Sequence, residues 1–255
     1  MLAVSYQGVA IPLMWTSLGK AGNSSTKERC LLLNRFILLF GRSRIRYLTA
    51  DREFKGGEWL LYLKKNRIPF VIRIANDTKT TNRHKTGSLK VTRLFPLAIG
   101  ESMLLNRPRV IWGIPVYLAA IRLDSGEYLI VASYDFRPNI IKDYQRRWEI
   151  ETLFGCLKTR GFDLEKTRLS DPERVSKLLA LLSITFVWCF RVGQWKQSKK
   201  KIKCSTHGRL MKSVFRLGLD TLQRLLFSHK ANTAEWHKML FFISPAIQDS
   251  SHQLC

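Results

Sequence analysis

Asn139 to Thr159 reads NIIKDYQRRWEIETLFGCLKT, and it is the one place in the chain where a regular helix carries reactive side chains in register. Pro138 precedes it, Gly155 is its only glycine, and Ile140, Ile141, Trp148, Ile150, Leu153, Phe154 and Leu157 recur at helical spacing. The spacing predicts one helix over the whole stretch. At roughly 100° per residue, Tyr144, Arg147, Glu151 and Lys158 fall within about 60° of one another, so one stripe collects a phenol, a guanidinium, a carboxylate and an ammonium. Such a stripe suits a phosphodiester and a divalent cation. The carboxylate holds the cation, the guanidinium grips a phosphate through two parallel hydrogen bonds, and the ammonium adds a point charge. On the helix alone, an ordinary exposed face with Arg147 and Glu151 as an i,i+4 couple accounts for the same residues.

Outward from this helix, charge is the strongest signal. Lys and Arg number 43 against 19 acids, a formal net charge of +24, which is far more than solubility needs and points to a polyanion. The excess is concentrated. Gly41–Phe95 holds fourteen Lys and Arg against four acids, and Arg191–Lys230 holds eleven against one, so two basic stretches flank the acid-bearing helix. With 45% hydrophobic and 11% aromatic residues in a chain of 255, a sizeable core is available and disorder is excluded.

Upstream, Leu2–Ala10 and Ile11–Leu18 read as a β-hairpin around Gly8, and Ser25 with Glu28 makes a capping box for a helix to about Phe40. Ile45–Ala50 reads as a strand with Asp51 at its carboxyl end, the place where open α/β sheets put their chemistry. A helix at Glu58–Asn66 and a strand at Phe70–Ile74 follow. This alternation predicts a mostly parallel α/β core. Asp51 taken alone also serves as a simple cap for the next turn. Ala75 to about Pro96, polar and basic with Thr78, Thr80, Thr81, Thr86 and Ser88, reads as a loop or an edge ribbon. Val110–Trp112, Val116–Leu123 and Tyr128–Ser133 read as strands, the last two joined by a turn at Asp124, Ser125 and Gly126.

Downstream, Ser170, Asp171, Pro172 and Glu173 start a helix expected to reach about Val192. Its run Leu178–Phe190, about 13 residues, is shorter than the roughly 20 that a membrane span needs and reads as a buried core helix. Lys196–Lys203 reads as a basic connector. Leu210–Phe227 reads as a helix with Leu210, Val214, Leu217, Leu222 and Leu225 as its buried face, and Trp236–Ile243 as one more short helix. Gln248–Cys255 reads as a frayed tail. Cys30, Cys156, Cys189, Cys204 and Cys255 have no framework spacing and read as reduced thiols of a cytoplasmic protein. Cys204 and His207 make half of a zinc site with no second pair to complete it. Met1–Leu18 lacks the basic leader of a secretory signal.

The spacing Tyr144, Arg147, Glu151, Lys158, with Trp148 and Phe154 inside it, resembles the Y-R-E-K signature of DDE transposases of the bacterial insertion-sequence-four family. The likeness runs from about Leu2 to Phe227, and ADREF at Ala50–Phe54, ahead of a helix and the strand FVIRI, resembles the family's second catalytic Asp motif. The resemblance implies a ribonuclease-H-like α/β core over 1–170, with an inserted β segment at about 75–135 and a C-terminal helical region over 171–255. It implies a transposase that cuts and joins DNA strands by metal-dependent phosphoryl transfer. Asp51 and Glu151 would be the catalytic ligands of magnesium or manganese. Tyr144, Arg147 and Lys158 would hold DNA phosphates. The implied partner is double-stranded DNA at transposon ends, bound as a homodimer.

Two rival functions stand beside this one. A non-catalytic DNA-binding protein needs only the charge. A membrane-surface protein fits less well, because the basic residues are not arrayed on one amphipathic helix. One departure from the resemblance bears on activity. The family's triad begins with an Asp on the first core strand, ahead of the hairpin, yet Met1–Ala50 contains no Asp and its one acid, Glu28, is expected as a helix cap. The expectation is an incomplete core whose first strand is missing, and a chain that by itself cleaves DNA poorly or not at all.

Overall fold

A computed structural model of the chain describes residues 1–20, 22–54, 56–81, 87–200, 202, 211–227 and 233–243. It divides into two units, Met1–Thr152 and Leu153–Cys255.

The first unit opens with the expected hairpin. β1 (Leu2–Tyr6) and β2 (Val9–Met14) pair antiparallel across Gln7 and Gly8, whose φ values of 49° and 84° suit a two-residue turn between twisted strands. Helix α1 (Thr26–Phe40) starts in a complete capping box. The Ser25 hydroxyl accepts from Glu28 N–H, and the Glu28 carboxylate accepts from Ser25 N–H at 2.7 Å. Glu28 is held down at a pKa of about 2 by its hydrogen bond from Lys20, reinforced by the Ser25 N–H. Glu28 is therefore the cap that the sequence indicated.

β3 (Leu48–Ala50), α2 (Gly57–Lys65) and β4 (Phe70–Ile74) follow in the expected order. Beyond them come β5 (Lys79–Thr81), β6 (Ser88–Lys90), β7 (Ser102–Leu104), β8 (Arg109–Ile111), β9 (Ile114–Arg122) and β10 (Tyr128–Ser133). The sheet they build runs β3-β4-β10-β9-β8-β5-β6, with β7 also on β9. Only β3 and β4, joined through α2, are parallel, and every other pairing in the sheet is antiparallel. The expected mostly parallel core is thus corrected to a mixed sheet. A parallel neighbour needs a crossover of a dozen or more residues, and among the described residues α2 is the one α-helix between the sheet strands. The strands expected as an inserted segment continue the main sheet, since β10 pairs directly with β4. β7 escaped the sequence reading because three residues, Ser102–Leu104, carry too little periodicity to be seen.

Alternation along the strands sorts the core into two faces. Phe70, Ile72, Ile74, Leu118, Ala120, Ile130 and Ala132 pack with Leu33 and Phe36 of α1 and Trp59, Leu60 and Leu63 of α2. Val71, Ala119, Leu129 and Val131 point the other way, onto Ile140 and Tyr144. Those two residues lie on α3 (Ile140–Gln145), which is followed by α4 (Trp148–Leu157). The single helix expected over Asn139–Thr159 is therefore two helices. At the junction Arg147 N–H donates to Tyr144 C=O and Glu149 N–H to Arg146 C=O, three-residue bonds that tighten the chain and break the α-helical ladder.

In the second unit α5 (Pro172–Lys199) begins at the N-cap Asp171, whose side chain accepts from Arg174 N–H at 2.8 Å. It runs past the expected end at Val192, so Lys196–Lys199 form its last turn, where cations meet the negative end of the helix dipole. Of the rest of the expected connector, Lys200 is the C-cap of α5, and Lys201 and Lys203 lie outside the described residues. At 28 residues α5 is, among the described residues, the one helix long and apolar enough to cross a membrane by length and composition. Its buried side is narrower than expected. Phe186, Cys189, Phe190 and Val192 are covered, whereas Leu181 and Ile184 are exposed.

α6 (Val214–Phe227) packs along α5 at two glycines. A Cβ on Gly193 would overlap the carbonyl of Val214, and one on Gly218 the carbonyl of Cys189. This approach turns the buried face of α6 to Phe215, Gly218, Leu219, Leu222 and Leu225, so Leu222 and Leu225 match expectation while Val214 and Leu217 sit at its margin. Leu210 is outside the described residues. α7 (Thr233–Phe241) is the last helix described. Cys30, Cys156 and Cys189 are free, and burial pushes the Cys156 thiol up to about 11 and the Cys189 thiol to about 12. Cys204, His207, Cys255 and the tail from Gln248 lie outside the described residues.

Candidate active site

Asp51 is the first residue after β3, at the carboxyl end of a strand whose neighbour β4 lies in the middle of the core. A 3-10 turn, Arg52–Phe54, follows at once, and its first N–H, that of Arg52, donates to Asp51 Oδ1 at 2.7 Å. Arg29 of α1 fastens this turn from outside. Its guanidinium lies 4.3 Å from the Phe54 ring centroid and donates to Glu53 C=O at 3.3 Å and to Ser24 C=O at 2.6 Å. No pattern in the sequence announces this role of Arg29, because Glu53 and Phe54 meet it only through the tertiary fold.

The α3–α4 junction faces Asp51 from across the sheet end. Tyr144 is 1% exposed, with its ring in the core against Val71 and Val131, and its hydroxyl reaches Asp51 Oδ1 at 3.4 Å. Burial raises the pKa of this phenol, the Arg147 charge works against that, and the Asp51 charge adds to it. Tyr144 is accordingly a core residue with one polar atom at the site.

Arg147 is the centre of the arrangement. Its Nη1 stands 3.8 Å from Asp51 Oδ2, and its Nη2 donates to Glu151 Oε1 at 2.7 Å. The guanidinium also lies 5.7 Å from the Tyr144 ring centroid. Burial of Arg147 opposes its charge, but the hydrogen bond to Glu151, with Tyr144 and Asp51 in support, raises its pKa overall. Among the described residues its buried Nε has no hydrogen-bond partner. Two carboxylates a hundred positions apart in sequence thus meet on one guanidinium. Like charges so close repel unless a cation separates them, and Arg147 is that cation. The arrangement is graded from core to solvent, with the Arg147 side chain 13% exposed, Asp51 37% and Glu151 59%.

A second polar group secures α3. Arg137 pairs with Asp143 at 3.4 Å and Asp135 at 3.8 Å, and stacks over Tyr47 at 4.7 Å, while the Tyr47 hydroxyl donates to Asp143 at 3.4 Å. Ser5 of β1 donates to Glu149 at 2.5 Å and so ties the hairpin to the start of α4. Trp148 and Phe154, expected on the apolar side of one helix, are exposed at 48% and 38%. Lys158, expected on the stripe, belongs to the second unit, where its ammonium pairs with Glu165 at 2.9 Å.

The structure therefore brings together Asp51, Tyr144, Arg147 and Glu151. Two carboxylate donors on one guanidinium suit one magnesium or manganese ion, which takes one or two carboxylates and completes its shell with phosphate and water. Among the described residues no third carboxylate, imidazole or thiol joins them.

A family model described as the transposase DDE domain matches residues 13–188. No curated protein matches. Among solved structures, the cryo-EM structure of the piggyBac transposase synaptic complex with hairpin DNA is similar over 98% of this chain, at 11% identity and a TM-score of 0.41. The similarity covers 52% of that chain, so this chain spans about half its length.

Proposed function

The chain belongs to the transposase DDE domain family, and on that premise we propose that it is a transposase core of the insertion-sequence-four type, with Asp51 and Glu151 as two of its catalytic acids. The observation that carries the reading is the convergence of these two carboxylates on Arg147. A surface i,i+4 couple accounts for Glu151 with Arg147 but not for Asp51, which arrives from another element.

DDE transposases generally use divalent metal ions. Held by Asp51 and Glu151, magnesium or manganese would supply Lewis-acid activation of the phosphodiester and of the attacking oxygen. The chain's own side chains do the rest. Asp51 is fixed in direction by the Arg52 N–H and the Tyr144 hydroxyl. Arg147 keeps the two acids together in the free chain and offers a DNA phosphate oxygen a planar, permanently charged donor. Lys158 adds a point charge for the duplex backbone. The reaction forms a bond from phosphorus to a water or DNA hydroxyl oxygen as the phosphorus–oxygen bond to the leaving strand breaks. We assign residues 1–170 to a ribonuclease-H-like core and 171–255 to a helical region, with double-stranded transposon ends as substrate, bound by a homodimer in the cytoplasm.

A second reading, DNA binding without catalysis, draws on the same site. Clamping both reacting oxygens takes two ions about 3.5–4 Å apart, and two carboxylates are too few to fix them. The test is a plasmid incubated with the purified chain and magnesium or manganese, beside the same chain preceded by an Asp-bearing strand. We expect duplex binding from both, nicking from the chain that carries the added acid, and little or none from the chain without it. Nicking by either chain that survives Asp51→Asn and Glu151→Gln would overturn the assignment.

A further inference from the structure

The far edge of the sheet carries a charge arrangement that the catalytic reading leaves unused. β5 and β6 form the edge ribbon anticipated between Ala75 and Pro96, with the register Lys79↔Lys90, Thr80↔Leu89 and Thr81↔Ser88. Alternation puts Lys79, Thr81, Ser88 and Lys90 on one face, and all four are exposed. The opposite face holds the ribbon in place. Thr80 is 2% exposed and its hydroxyl donates to Val110 C=O of β8 at 2.9 Å, while Val91 N–H donates to Thr78 C=O at 2.9 Å just past the ladder.

Two ammonium groups directly opposite each other on neighbouring strands repel and weaken the pairing. Among the described residues neither Lys79 nor Lys90 has a carboxylate within ion-pair distance, whereas the other edge of the same sheet matches each site acid with a cation. The pair of lysines, flanked by the Thr81 and Ser88 hydroxyls, which can donate, is a face of positive charge and hydrogen-bond donors with no carboxylate among its four described residues. An anion lying over both strands would remove the repulsion. A duplex backbone supplies phosphates at that density, one per roughly 1.7 Å of axis.

We propose that the exposed face of the β5–β6 ribbon is a second phosphate-binding site for duplex DNA, separate from the Asp51–Glu151 site. The proposal rests on the reading of the chain as a DNA-processing protein. Six strand-to-strand steps separate β3 from β6 in the sheet order. At about 4.8 Å per step the two sites are on the order of 30 Å apart, the length of some eight or nine base pairs. The ribbon would hold the flanking duplex while the site engages the phosphodiester, and its hydroxyls and ammoniums read backbone rather than sequence.

The test is Lys90→Glu, with Lys90→Gln as the milder variant, in the full chain. Duplex affinity is measured by fluorescence anisotropy across a salt series, and thermal melting is followed in parallel. Lys90→Glu replaces a repelling pair by an attracting one, so its melting temperature should equal or exceed that of the parent. Its affinity for a 20-base-pair duplex should fall at least tenfold at low salt, with the salt slope shallower by about 1 to 2, and its affinity for a six-base-pair duplex should change less. A parent chain that binds duplex while both variants keep its affinity and slope would overturn the ribbon site and leave the function standing. A lowered melting temperature in Lys90→Glu would also overturn it, by removing the repulsion on which it rests. A parent chain that binds no duplex, or binds only anionic vesicles, would overturn the function itself.

Discussion

The two edges of the first unit's sheet treat charge in opposite ways. At β3 the acids Asp51 and Glu151 would repel, and a largely buried guanidinium is placed between them. At β5 and β6 the cations Lys79 and Lys90 would repel, and nothing described stands between them. The first edge is compensated within the chain and the second is left for something outside it. Removing a charge should therefore destabilise the fold at one edge and leave it as stable or more so at the other.

The largest expected effect is at the compensated edge. Arg147→Met deletes a hydrogen bond to a charged group and leaves two carboxylates facing each other, at a cost of about 2 kcal/mol in chemical denaturation. That figure is below the value for a fully buried pair, because Glu151 is mostly in solvent. Adding Glu151→Gln to Arg147→Met should recover part of the loss, since it removes one of the two unopposed charges. If the single and double variants are equally unstable, the carboxylates do not interact and the compensated edge is not one.

Next comes Tyr144→Phe, which removes the hydroxyl from Asp51 but keeps the ring in the core, for about 1 kcal/mol. Its pH dependence has a definite sign. The folded-state pKa of this phenol is raised, so its contribution is complete below the ordinary value of about 10 and is lost as the pH rises through the folded pKa. The stability gap between parent and Tyr144→Phe, followed by urea denaturation, should hold steady to about pH 10 and then close. A gap that widens at alkaline pH would place the phenol elsewhere.

The smallest effect, and the one of opposite sign, is at the uncompensated edge. There Lys90→Glu should add about 0.5 kcal/mol in urea denaturation by creating an attractive cross-strand pair. Binding gives a companion measure. If six to ten phosphates are contacted, log K for a long duplex should fall with log salt at a slope of about −5 to −9. Arg147→Ala and Lys158→Ala should each flatten that slope slightly.

How much of this was legible in the sequence follows from how local each feature is. The capping box at Ser25 and Glu28, the turn at Gln7 and Gly8, and the start of α5 at Asp171 and Pro172 depend on neighbours within four residues, and all were readable. The break at Arg146 and Arg147 was not, because the stretch around it has unbroken helical periodicity, and the side chains that draw Arg147 toward Asp51 come from another element. The mixed sheet was missed for a related reason. The alternation of helices and strands up to Phe70 suggests parallel pairing, and only the short connections after β4 decide otherwise. For the site, residue spacing identified Tyr144, Arg147 and Glu151 as a group and Asp51 as a strand-end acid. It did not reveal that Tyr144 is buried, or that Arg29 secures the turn after Asp51, since both depend on what packs against them.

Manganese binding tests the central claim, that Asp51 and Glu151 form one site for a cation and DNA, most directly. With the chain saturated by duplex, free manganese is followed by electron paramagnetic resonance as protein is added, for the parent, Asp51→Asn, Glu151→Gln and Glu165→Gln. We predict about one ion bound per chain in the parent and in Glu165→Gln, and loss of that ion in Asp51→Asn and in Glu151→Gln alike. An ion that stays bound when either of those two acids is neutralised would contradict the account.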